Sequence, residues 1–156
     1  MTPAINYAKK AKIKFNLHRY EHDQSASSFG EEAASKLNVS KDRVFKTLVV
    51  ILDDFELAVA VVPVSKQLDL KACAALFGIK KCQLSDQKDA ERSTGYVVGG
   101  VSPLGQKNKL RTIIDKTALN QETIYVSAGR RGLQIELSPK DLCDAVTGTF
   151  ASISSR

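Results

Sequence analysis

The sequence is short of the residues that most often announce chemistry. It has two histidines and three cysteines. His18 and His22 stand four apart, and Cys73, Cys82 and Cys143 show no C-x-x-C spacing. These features argue against a zinc site and against a disulfide framework, so the thiols are expected to be reduced core residues in a reducing cytosol. Long apolar runs are missing as well. "VFKTLVVIL" (44–52) and "ELAVAVVPV" (56–64) are broken by Lys46 and by the "DDFE" turn. Neither approaches the ~20 residues of a membrane span. At the start, "MTPAINYAKK" has no apolar stretch after a basic one, so no secretory signal is expected. The nucleotide fingerprints fail too. There is no G-x-G-x-x-G, and although Gly100 and Gly105 have phosphate-loop spacing, Gln106 stands where the lysine belongs and Pro103 lies inside the loop. No G-x-S-x-G surrounds Ser127, and both histidines lie far from it in sequence, which counts against a serine triad.

What is there suits one globular domain spanning 1–156, long enough to bury a core. The formal net charge of +6 favours acidic partners, nucleic acid first among them. "TPAINYAKKAKI" reads as a helix with Thr2 as N-cap and Pro3 in the first position. "FNLHRY" reads as a half-buried strand, and "SFGEEAASKL" as a helix whose Ser28 and Glu31 have capping-box spacing. The run at 44–52 and "FELAVAVVPV" form an antiparallel pair around the "DD" turn. A helix over "DLKACAALFG", a short strand "KKCQL" and a polar helix starting at Ser85 follow. Three strands ("KLRTIID", "ETIYVS", "LQIEL") precede a last helix capped by Ser138. Strands and helices are mixed without regular alternation. The fold class is therefore α/β of a mixed, α+β-like kind: a largely antiparallel sheet or barrel with helices outside.

Three features could carry chemistry. Lys46 shares a strand face with Val44, Leu48, Val50 and Leu52. Its stem could cross a sheet edge to water, or its ammonium could sit in a cavity floor and hold a carbonyl, ribose or phosphate oxygen. Four of the nine glycines fall between Gly95 and Gly105. That stretch is either a tight crossing or a loop offering free N–H groups to an oxyanion. "VSAGRRG" (126–132) is either a hairpin with solvated charges or a hydroxyl, Ser127, beside a phosphate-reading pair, Arg130 and Arg131.

Taken together, "VFKTLVV", "STGYVVGGVSPLG" and "YVSAGRRGLQIELSP", in that order, resemble the YbaK family of bacterial aminoacyl-tRNA deacylases. The wider superfamily includes the editing domain inserted in many prolyl-tRNA synthetases. The likeness spans nearly the whole chain, with "TPAI" and "FGEEAA" included. It implies a mixed six-stranded barrel-like sheet flanked by helices. It also implies a free-standing enzyme that clears mischarged tRNA, typically Cys-tRNA(Pro) and by extension Cys-tRNA(Cys), with alanine on tRNA(Pro) as the alternative load and a non-catalytic tRNA-binding module as the alternative class. Similar volume lets cysteine pass a proline pocket, so a second site must edit.

On the same resemblance, Lys46 matches the active-site lysine, and Gly99 and Gly100 lie in the segment that offers backbone N–H groups to the ester carbonyl. Ser102 lies in the same loop and is taken as a substrate contact. Ser127 and Gly129 match the pocket rim, and Tyr20 and Phe29 match residues lining the amino-acid site. The implied reaction needs no cofactor, no metal and no general base, because the substrate's thiol attacks its own ester. The three protein cysteines fall outside the motifs. Val98 departs from the pattern, standing where relatives often have proline. No membrane is implied. The expected partners are aminoacyl-tRNA, tRNA(Pro) above all, gripped through phosphates, and prolyl-tRNA synthetase, which would supply the tRNA discrimination that 156 residues without an anticodon-binding domain lack.

Overall fold

The computed structural model describes residues 1–26 and 28–155. Its elements follow in chain order as α1 (Pro3–Lys10), β1 (Phe15–Arg19), α2 (Phe29–Lys36), β2 (Phe45–Leu52), β3 (Glu56–Pro63), β4 (Gln67–Leu68), α3 (Leu70–Phe77), β5 (Cys82–Leu84) and α4 (Gln87–Thr94). After a long loop come β6 (Arg111–Asp115), β7 (Ile124–Arg130), β8 (Leu133–Leu137), α5 (Pro139–Val146), β9 (Thr149–Ala151) and β10 (Ser154–Ser155).

Helix starts follow local sequence. The Thr2 hydroxyl accepts from the Ile5 N–H at 3.2 Å and donates to the Ala128 carbonyl, so the cap of α1 also fastens it to β7. Ser28, Asp69 and Ser138 cap α2, α3 and α5 in the same way, and Gly78 ends α3 in the left-handed region. One start is displaced. Asp86 rather than Ser85 caps α4, because the Ser85 N–H is already committed to the Val49 carbonyl at 3.0 Å and holds Ser85 in the extended chain. β1 is also less buried than its alternation predicts: it pairs only with β8, at a sheet edge, and leaves Leu17 exposed.

The main sheet is mixed, in the order β5-β2-β3-β6-β9, with β5–β2 and β2–β3 antiparallel and β3–β6 and β6–β9 parallel. Alternate residues of β3 serve two clusters. Val59 and Val61 join α1, β7 and β8, while Ala58, Ala60 and Val62 join Cys73, Ala74 and Phe77 of α3. Being buried on both faces is why "LAVAVVPV" is apolar throughout. A second sheet, β1-β8-β7, and the pair β10-β4 complete the fold. The barrel-like, six-stranded sheet expected from the resemblance is not what forms: among the described residues there are three separate sheets and no closed barrel. The reason is local. The residue just before β2 meets β7 through an isolated parallel bridge, Val44 with Tyr125, and no further ladder forms between β2 and β7, so the two larger sheets do not zip together.

Candidate active site

The parting of β2 and β7 makes the site. The Tyr125 N–H donates to the Arg43 carbonyl at 2.9 Å, and beyond that contact the strands diverge. In β2 the Val64 N–H bonded to the Val44 carbonyl at 2.8 Å sets the phase, so even-numbered residues exchange hydrogen bonds with β3. Odd-numbered residues therefore aim their backbone groups away from β3. Ser85 takes the Val49 carbonyl, and by the same phase the N–H and C=O of Thr47 point away from β3 toward the gap.

A cavity of about 480 Å³ fills that gap. β2 contributes Lys46 and Thr47, β7 and β8 contribute Ser127 and Gln134, the start of α2 brings Phe29, and the glycine loop brings Gly99. Leu84, Ser85, Gln87 and Ala90, from β5 and α4, close the remaining side. Lys46 is half-buried. Burial pushes its pKa below the ordinary 10.5, and the Glu31 carboxylate acts weakly in the opposite direction. Among the described residues no carboxylate comes within ion-pair distance of it, so its field is directed at whatever occupies the cavity.

The glycine loop is held by close backbone approach. Gly99 has φ +90°, and a Cβ there would lie 2.6 Å from Nε of Arg131 and 3.1 Å from the Phe29 ring. Arg131 donates to the Val98 carbonyl through Nε (3.0 Å) and Nη2 (2.7 Å), and its guanidinium lies 4.8 Å from the Phe29 ring centroid. One side chain thus ties the loop to the first turn of α2. Gly100 packs on the hairpin, where a Cβ would come within 2.6 Å of the Arg130 Cα, and its N–H is spent on the Val97 carbonyl at 2.9 Å. Among the described residues the Gly99 N–H has no such partner.

Of the residues singled out in the sequence, Lys46, Gly99, Ser127 and Phe29 come together on the cavity wall. The others lie behind or beside it. Gly129 packs against Thr2 and Tyr96 and donates its N–H to the Ser127 hydroxyl at 3.1 Å. Ser102 is fully buried, and its hydroxyl accepts from the Leu104 N–H within the loop. Tyr20 stands behind the wall, its pKa raised by burial, and Arg130 is exposed at the hairpin. The histidines are engaged elsewhere, His18 with Glu136 at 2.8 Å and His22 with Glu32 at 2.7 Å. All three cysteines are buried away from the cavity, with burial pushing the Cys73 thiol up to about 12. Sequence reasoning passed over Thr47 and Gln134. The signal was present for Gln134, a polar residue between the buried Leu133 and Ile135, as it was for Lys46.

A family model for the aminoacyl-tRNA editing domain matches residues 23–145, which takes in α2, the whole of the cavity wall and α5 up to Ala145. The chain belongs to that family. The chain is 36% identical over 155 residues to EbsC of Enterococcus faecalis, covering 99% of this chain and 94% of that protein, which is provisionally named a Cys-tRNA(Pro)/Cys-tRNA(Cys) deacylase. It is 28% identical over 140 residues to the uncharacterised YwhH of Bacillus subtilis, covering 87% and 88% of the two chains. Its backbone superposes on the crystal structure of a hypothetical protein, APE2540, with TM-score 0.88 at 26% identity over 98% and 99% of the two chains. A TM-score of 0.81 at 19% identity, over 100% and 99%, relates its fold to a protein provisionally assigned as a trans-editing enzyme for prolyl-tRNA synthetase. The chain is thus a YbaK-type member of the aminoacyl-tRNA editing deacylase family. Among its described residues no helix is long and apolar enough to cross a membrane.

Proposed function

We propose that this editing domain is a free-standing deacylase that removes cysteine from tRNA(Pro), with Cys-tRNA(Cys) as a second substrate, in the cytosol where tRNAs are charged. One observation carries the reading. Among the described residues, the cavity wall holds a single charged group, the Lys46 ammonium, and no carboxylate, imidazole or thiol. Such a wall offers donors for a carbonyl oxygen and nothing to activate water, which suits a substrate that brings its own nucleophile.

In the proposed step the cysteinyl sulfur attacks the carbonyl carbon of its own ester. A carbon–sulfur bond forms, the bond from that carbon to the ribose oxygen breaks, and the thiol proton ends on the ribose hydroxyl. The products are a four-membered thiolactone and free tRNA. Intramolecular attack gains from proximity, worth up to ~7–11 kcal/mol in well-oriented systems. Lys46 and the Gly99 N–H stabilise the negative charge that builds on the carbonyl oxygen. The exposed Arg130, with the exposed Lys88 and Arg92 of α4, the helix whose Gln87 and Ala90 line the cavity, supplies phosphate contacts. The choice of tRNA then falls to a partner such as prolyl-tRNA synthetase.

The test is release of amino acid from Cys-, Ala- and Ser-tRNA(Pro) by wild type and by Lys46→Ala, with the product identified. Cysteine-selective release that falls at least 100-fold in the variant, about what loss of a principal oxyanion donor costs, supports the reading, and thiolactone among the products supports the cyclisation. Release of alanine instead keeps editing and removes the thiol step. Absence of release from all three substrates sinks the enzyme reading in favour of a tRNA-binding module.

A further inference from the structure

Two buried polar atoms in the described structure have no hydrogen-bond partner, Thr47 Oγ1 and Gln134 Oε1, and both belong to residues lining the cavity. Gln134 is only 7% exposed. Leaving such an atom unmet costs ~1–3 kcal/mol, so two at one place call for an explanation. They lie on opposite sides of the gap, Thr47 on the free edge of β2 and Gln134 on β8, paired in register with Ser127. The carbonyl of Thr47 faces the same gap by strand phase.

The wall offers both kinds of group: Lys46 and the N–H groups of Gly99 and Thr47 can donate, while Gln134 Oε1, Thr47 Oγ1 and the Thr47 carbonyl accept. An aminoacyl ester needs both, since its carbonyl only accepts and its α-amino group is its donor next to that carbonyl. We propose that Gln134 and Thr47 form the α-amino subsite and make a free amine on the acyl group a condition of good turnover. The inference rests on the deacylase reading. Neutral acceptors fit beside Lys46, because the amine is held by hydrogen bonds and no carboxylate is introduced that would pair with the lysine and blunt its field. The subsite also fixes the rotation about the bond from Cα to the carbonyl carbon, and with it the approach of the side-chain sulfur.

The test compares Cys-tRNA(Pro) with 3-mercaptopropionyl-tRNA(Pro), which keeps the thiol and lacks the amine, on wild type, Gln134→Leu and Thr47→Val. Wild type is expected to prefer the cysteinyl ester in kcat/KM. Each variant is expected to shrink that preference about 10- to 100-fold, the range set by one buried hydrogen bond to substrate. Gln134→Glu, which keeps the acceptor and adds charge, is expected to retain the preference. If both esters lose equally in Gln134→Leu and in Thr47→Val, the atoms serve the ribose or the fold and the inference is overturned. If wild type has no preference for the amine, it is overturned outright. If wild type releases neither ester, the deacylase reading itself has failed. Val is close to Thr in shape, so Thr47→Val reads the hydroxyl even where Gln134→Leu folds poorly.

Discussion

Burial that lowers the pKa of Lys46 is a statement about stability as well as chemistry. The unfolded chain holds the lysine proton up to about the ordinary 10.5, and the folded chain releases it at lower pH. Between those values the unfolded state binds more protons, so stability rises with pH there; below the folded pKa the full penalty applies. Lys46→Met keeps the stem and removes the charge. Its Tm at neutral pH is expected to equal or exceed that of wild type by about 1–3 °C, the gap closing as pH approaches 10.5 while deacylation is lost throughout. A lower Tm for the variant by calorimetry would show that the ammonium is paired after all. Such an exchange of stability for activity is the usual mark of a group kept for its chemistry.

At the level of elements, the glycine loop is built by contact and not by flexibility. A Cβ at Gly100 would meet the backbone of Arg130 at 2.6 Å, so Gly100→Ala must push the loop off the β7–β8 hairpin and carry Gly99 with it. The expected cost is about 1–3 kcal/mol, with deacylation down more than tenfold. Gly78→Ala is the contrast. It strains a residue at φ +76° but finds nothing within 4 Å, so about 1 kcal/mol of stability goes and deacylation stays. Equal activity losses in the two variants would mean that general destabilisation, not loop position, is being read. The same scale shows where sequence suffices. Caps such as Thr2, Ser28 and Ser138 are settled by a few neighbouring residues, and the β2–β3 hairpin by two apolar runs around a turn. The strands β4, β9 and β10 were invisible, since two or three residues carry no period and exist only because β6 and the buried Asp115 carboxylate hold them. Against the upward push of burial, that carboxylate is kept below the usual range by the bonds it accepts, first from the Thr117 hydroxyl and then from the Ile153 N–H and the Ser154 hydroxyl.

For the whole molecule, the telling fact is that two sheets meet at one bridge. Alternation along β2 announced that Lys46 was out of place on its face, but not that both faces of the strand would reach one cavity. That depends on where β7 leaves β2, a contact between residues 81 apart in sequence (44 and 125). Gln134 went unread for the same reason: its strand was plain in the sequence, and the gap it faces was not. The open edge also gives the fold a built-in reporter. The amides of Lys46 and Leu48 are locked into the ladder with β3, while that of Thr47, between them, is not. In deuterated solvent the Thr47 amide is expected to exchange orders of magnitude faster than its two neighbours. A bound aminoacyl analogue should slow that one signal and leave theirs unchanged, so a single backbone resonance would read occupancy of the site directly, with no turnover required.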